Sequence, residues 1–110
     1  MQYPVRNEGS YTIISLSGEV DLSCSSEARK QILACVEHGG HVLVEMVDVE
    51  YIDSSGIASL VEGLQTARRK QLEFGLVSVS KSAMQILGIA RLDRVFPIYG
   101  SIADALDQRR

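Results

Sequence analysis

Ile57, Leu60, Val61 and Leu64 stand at i, i+3, i+4 and i+7, the spacing of one apolar stripe on an α-helix, and Ser59, Glu62, Gln65 and Thr66 are assigned to the opposite side. Arg68-Arg69-Lys70 closes this run. Positive charge offsets the negative end of a helix dipole, which accounts for the basic cluster better than nucleic-acid binding does. A second helical pattern spans residues 23–37, with apolar side chains at 24, 28, 32, 35 and 36; Ser23 is the candidate N-cap and Gly39-Gly40 the stop.

Between and around these helices the pattern is that of strands. Residues 11–16 are β-branched or aromatic apart from Ser15 and Leu16, and the strand is expected to end by Gly18. Residues 2–7 read as an edge strand, because Pro4 has no N–H for a central ladder, and Glu8-Gly9-Ser10 is a turn that pairs the two segments as a hairpin. Residues 41–47 are mostly Val, Leu and Met, as in a strand covered on both faces; Glu45 is the exception and needs a partner or an exit to water. Residues 74–79 form a further strand, Ser80 or Ser82 starts a helix through Leu87, and a short strand over 95–99 precedes a last helix over 101–108. The alternation predicts an α/β fold: one domain over residues 1–110, a mixed, mostly parallel sheet of four to five strands, an N-terminal hairpin and about four helices.

Composition narrows the function. The chain has 110 residues, enough for one core, with 45% apolar and 23% charged residues, as in an ordinary globular domain. A net charge of -3 gives no general attraction to nucleic acid or anionic lipid. No apolar run approaches the ~20 residues of a membrane span, and the first six residues lack the pattern of a signal peptide, so a cytoplasmic protein is expected. Cys24 and Cys35 fall eleven positions apart in one predicted helix, roughly 16 Å along its axis, too far for a disulfide; on nearly one face, they read as core fillers.

Common catalytic signatures are missing: no phosphate-cradling Gly-x-x-x-x-Gly-Lys, no Gly-x-Gly-x-x-Gly, no His-Glu-x-x-His and no Cys-x-x-Cys. His38 and His41, without a neighbouring carboxylate or thiol, are read as turn residues and not as metal ligands. Chemistry concentrates instead in Asp53-Ser54-Ser55-Gly56, at the corner where a strand gives way to the strongest helix. Asp53 there is a natural N-cap. A nucleophilic serine would need a base within reach, yet both histidines precede the strand leading to this corner and belong at its far end, so no enzyme activity is expected. Two hydroxyls and a glycine leave instead a low, accessible surface suited to a protein kinase. A phosphoryl group on Ser54 adds about -1.5 to -2 charge. A helix N-terminus tolerates that charge, whereas a partner's acidic or apolar surface does not.

Val42-Leu43-Val44 followed by Val49-Glu50-Tyr51-Ile52-Asp53-Ser54-Ser55-Gly56-Ile57 resembles the core of the STAS domain of bacterial anti-sigma-factor antagonists, and Gly18-Glu19-Val20-Asp21 resembles a second signature of that family. The resemblance runs over nearly the whole chain. It implies a regulator of transcription, in stress response among other settings, that works by partner switching: the unphosphorylated antagonist binds an anti-sigma factor that is also a serine kinase, phosphorylation ends that binding, and a PPM-type phosphatase restores it. Residue by residue, it implies Ser54 as phosphoacceptor, with Asp21, Asp53, Ser54, Ser55, Gly56 and Ile57 forming the partner-binding surface. ATP and metal belong to the partners, so no cofactor is expected, and the chain is expected to be a monomer or weak dimer. For Asp21, a turn residue or alternative helix cap is an equal reading. Many family members follow the motif's Gly with Leu-Gly, where this chain has Ile57-Ala58. The family also supplies a second class, the STAS subunit of a membrane transport system of the lipid ABC type, which needs no phosphorylatable serine.

Overall fold

The computed structural model describes residues 3–108. Nine elements follow one another: β1 (Val5–Glu8), β2 (Tyr11–Val20), α1 (Ser25–Gly39), β3 (His41–Ile52), α2 (Ser54–Arg69), β4 (Phe74–Val77), α3 (Lys81–Ile89), β5 (Ile98–Tyr99) and α4 (Ile102–Gln108). They build one five-stranded sheet in the order β1-β2-β3-β4-β5, with β1 antiparallel to β2 and every other pair parallel. The hairpin, the parallel sheet and the four helices are those the sequence predicts. Of the expected first strand, residue 2 lies outside the described residues, and the pairing starts at Val5.

Sequential strand order determines where the helices go. From β2 to β5 each crossover moves one strand further in the same direction, and right-handed crossovers then place α1, α2 and α3 on one face. That face holds the larger core, in which Ile14, Leu16, Val44, Met46 and Ile52 of the sheet meet Ile32, Leu60, Leu64 and Leu87 of the helices. Among the described residues the other face is covered by α4, whose Ala105 closes a small cluster with Tyr11, Ile13, Leu43 and Val77. Beyond α4, Ser15 and Glu45 lie side by side in the register. Here Glu45 finds the partners its position required: it accepts from Ser15 Oγ at 2.8 Å and from Arg6 Nη1 at 3.5 Å.

Several boundaries differ from expectation. Both β2 and β3 outlast the predicted strands, and β3 contains two register shifts against β2, between Ser15 and Ser17 and between Gly18 and Glu19. Each inserts one extra β3 residue, so burial along its second half repeats every three residues: Met46, Val49 and Ile52 are buried, while 47, 48, 50 and 51 are exposed. Gly18, at φ +69°, accommodates the second shift. The α1 helix starts at Ser25, two residues later than predicted, because Ser23 does not cap it: its hydroxyl donates to Asp21 Oδ1 instead. Cys24 is consequently only half-buried ahead of α1, while Cys35 is a core residue; both thiols are free. Ser80 is the residue that caps α3, through Ala83 N–H.

Ser59, assigned to the polar side of α2, is buried, its hydroxyl donating to the carbonyls of Ser25 and Ser55. The reason is a second inward face. Gly56, Ser59, Gly63 and Ala67 are all buried small residues, and α1 packs closely against this side: a Cβ on Gly63 would lie 2.5 Å from Ile32 Cγ2. Glu62, at the margin of this contact, holds Arg29 of α1 through two hydrogen bonds of 2.7 Å.

Candidate functional site

Parallel strands deliver their following loops to one end of the sheet, and because β2 and β3 are neighbours, the loops after Val20 and Ile52 meet there. Asp53 joins them. As N-cap of α2, its Oδ1 accepts from the N–H groups of Ser55 and Gly56, each at 3.0 Å, and from the Ser55 hydroxyl at 2.6 Å. Its Oδ2 accepts from Leu22 N–H at 3.1 Å, in the loop after β2. The Ser55 hydroxyl above all, then the Gly56 N–H, hold the Asp53 carboxyl below the usual carboxylate range, with smaller help from Ser55 and Leu22 N–H. A single ionised side chain thus caps the helix and pins the adjacent loop.

The two serines differ in consequence. Ser55 is half-buried and its hydroxyl is committed to Asp53. Ser54 is exposed, and its hydroxyl takes no hydrogen-bond partner among the described residues. It sits in the first turn of α2, where N–H groups lacking helical partners favour an anion. Exposed Ala58, one turn on, keeps the surface around it low.

Gly56 and Ile57 belong to the site's foundation. A Cβ at Gly56 would lie 2.5 Å from the Val20 carbonyl oxygen and 2.7 Å from Ile52 Cγ1, so only glycine lets the helix start this close to the sheet. Ile57 is 8% exposed and seats α2 in the core. Asp21 shapes the loop after β2: its Oδ1 accepts from the Ser23 N–H at 3.0 Å and its main-chain carbonyl from those of Cys24 and Ser25. From behind, Cys24 Sγ donates to Glu19 O at 3.0 Å and accepts from the Tyr3 hydroxyl at 3.5 Å. Burial first, and the Cys24 contact second, push the Tyr3 phenol up to about 12.

Sequence reasoning missed two large side chains at this end. Leu22 is 78% exposed beside the Asp53 carboxylate, and Tyr51, next to Glu19 in the register, is 47% exposed. Leu22 lies in a loop with no periodicity, and Tyr51 follows the point at which strand alternation breaks down.

Neither histidine approaches the corner. His41 begins the twelve-residue β3, at the end opposite this corner, and its Nδ1 accepts from Glu73 N–H. Among the described residues no group of His, Cys, Asp and Glu is arranged to hold a metal ion, and no helix is long and apolar enough to cross a membrane.

A parallel sheet whose adjacent strand ends present a capped, hydroxyl-bearing helix start is the arrangement of a STAS domain, and the chain belongs to that family, whose description matches residues 2–105. The chain is 23% identical over 110 residues to the anti-sigma F factor antagonist of Paenibacillus polymyxa, covering 98% of this chain and 94% of that protein. It is also similar to the solved structure of an anti-sigma-factor antagonist (STAS) domain protein from Planctomyces limnophilus, with a TM-score of 0.87 at 27% identity over 96% of both chains. The anti-sigma factor antagonist SpoIIAA in its unphosphorylated form shares the fold, with a TM-score of 0.82 at 16% identity over 98% of this chain and 96% of that one.

Proposed function

We propose that this chain is an anti-sigma factor antagonist that acts in the cytoplasm by binding, without catalysis of its own, and is switched by phosphorylation of Ser54. One observation carries the choice of residue: of two adjacent serines at the α2 N-terminus, Ser55 is bound to Asp53 while Ser54 offers an unbonded hydroxyl to solvent. The partner is an anti-sigma factor with serine kinase activity, and a PPM-type phosphatase reverses the modification. Ser54, Ser55, Asp21 and Asp53 contribute directly to the binding surface, with Gly56 and Ile57 holding the helix that presents it.

The switch acts at the interface. Phosphate on Ser54 stands in solvent at the positive end of the α2 dipole and is tolerated by the free chain. Against a partner, the same charge must be desolvated, and each 1.4 kcal/mol of that cost is about tenfold in affinity. Incubation with the anti-sigma factor kinase of the same organism and ATP, followed by intact-mass measurement, should add one phosphoryl group to the natural chain and none to Ser54→Ala. Ser54→Ala should still bind the kinase after the same incubation. Equal modification of both chains would reject the site, and undiminished binding of the phosphorylated chain would reject the switch.

A further inference from the structure

The far ends of β2 and β3 project beyond β4, whose pairing with β3 stops at Glu45 and Val77. On the side of this projection that the first three helices cover, Val20, Val49 and Ile52 are buried. On the other side, α4 reaches only as far as Tyr11, Ile13, Leu43 and Val77, so the projection is bare. Bare here does not mean polar throughout. Val47 is 55% exposed and Tyr51 47%, and Leu22 continues the apolar surface at the loop beyond. A shallow groove lined by Ser17, Gly18, Val47, Asp48 and Glu50 runs from the projection to Ser82 at the start of α3.

The charges that these strand ends and the residues after them carry are of one sign; Lys81, between Ser80 and Ser82 at the start of α3, is a base that borders the groove. Residues 17–22 and 47–53 contain five acidic residues, Glu19, Asp21, Asp48, Glu50 and Asp53, and none of the chain's 11 lysines and arginines. None of the five takes part in an ion pair among the described residues, whereas Glu8, Glu45 and Glu62 all do. A net charge of -3 therefore conceals a far more negative end.

We infer that this bare sheet face is a docking surface for a basic patch of the partner protein, with Tyr51 and Val47 as apolar anchors and Asp48 and Glu50 selecting positive charge. The inference rests on the proposed function, since the partner is the one that also engages Ser54. The face is continuous with that corner through Leu22, whose N–H is bound to Asp53. Charge selects its occupant. Nucleic acid and anionic lipid are repelled, and a second copy presenting the same face would set like charges against each other. An opposing basic surface gains in encounter rate and orientation, and exposed Tyr is a side chain that often contributes strongly when an interface closes over it.

The test measures binding of the full chain to the anti-sigma factor kinase at several salt concentrations, comparing the natural chain, Tyr51→Ala and the double variant Asp48→Lys/Glu50→Lys. The substituted side chains are exposed, so melting temperatures should match and report intact folding. The natural chain should bind more weakly as salt rises. The charge reversal should weaken binding about tenfold or more and flatten the salt dependence, and Tyr51→Ala should weaken it about tenfold with the salt dependence retained. Binding by the charge-reversed chain that equals the natural one overturns the docking surface alone. Failure of the natural chain to bind the kinase overturns the proposed function and this surface with it. Self-association of the natural chain that the charge reversal abolishes assigns the face to a second copy and refutes the basic partner.

Discussion

Replacing Gly56 by alanine puts one methyl group where the start of α2 touches the sheet. In most helices this change stabilises, by up to about 1 kcal/mol, because alanine loses less backbone freedom on folding. Here the added Cβ would lie 2.5 Å from the Val20 carbonyl oxygen and 2.7 Å from Ile52 Cγ1, and 3.1 Å from Val20 Cγ1. The nearest obstacle is backbone, and the same carbonyl already accepts from Asp53 N–H at 3.3 Å, so it cannot rotate away freely. Overpacking of this kind costs about 1–3 kcal/mol, with a rigid obstacle at the upper end. Subtracting the propensity gain leaves a net loss of about 1–2 kcal/mol, or roughly 5–10 °C in melting temperature for a domain of this size. Gly88 supplies the control, since nothing lies within 4 Å of a Cβ there and it is exposed in α3. Gly88→Ala should leave the melting temperature unchanged or raise it. Thermal and urea unfolding of both variants read the two signs, and the Leu22 amide signal in NMR spectra should shift in Gly56→Ala as the cap moves. A Gly56→Ala chain as stable as the natural one would refute the claim that close approach to Val20 is what demands glycine.

Three further outcomes are expected. Asp53 titrates lower in the folded chain than in the unfolded one, so its stabilising effect is complete above the ordinary carboxylate range and fades as pH falls through and below it; urea midpoints between about pH 5 and pH 2 should fall more steeply for the natural chain than for Asp53→Asn, and parallel curves would contradict the cap's ionised role. Phosphorylated Ser54 should leave the melting temperature of the free chain nearly unchanged, since the anion meets a helix N-terminus, and a large drop would place the hydroxyl in a tighter setting than its exposure indicates. With a thiol reagent under native conditions Cys24 should react first, because Cys35 is buried and burial pushes its thiol up; equal rates read by peptide mapping would argue against that packing.

The helices and the parallel order were legible because each rests on a local pattern. The stripe from Ile57 to Leu64 and the Asp53 cap need only nearest neighbours along the chain. Misjudged features depend on contacts that helix and strand patterns do not contain. Ser59 looked polar on its own helix, yet it is buried because α1 closes against this side, with Ile32 at Gly63 and the Ser25 carbonyl at the Ser59 hydroxyl. Ser23 had the chemistry of a cap, but Asp21 two residues earlier claimed its hydroxyl. The second half of β3 escaped notice because its bulges replace alternation by a spacing of three, which no strand template contains. In the site, Asp53 and Ser54 were readable from residue type and position; the difference between Ser54 and Ser55 was not, since it turns on which hydroxyl faces the carboxylate. Leu22 and Tyr51 carry no signal in sequence, because an exposed apolar residue is recognisable only once the core is known.

The spacing of three in β3 also separates two kinds of evolutionary change. In an alternating strand, half the positions serve the interior, and any one-residue slip exchanges interior for exterior. In residues 46–52 only Met46, Val49 and Ile52 serve the interior, and the four positions between them are exposed. Substitutions at those four alter what the domain displays beside the Asp53-Ser54 corner while leaving its packing intact. Duplicated copies of such a domain can therefore acquire different partners by changes within one strand, with little risk to folding.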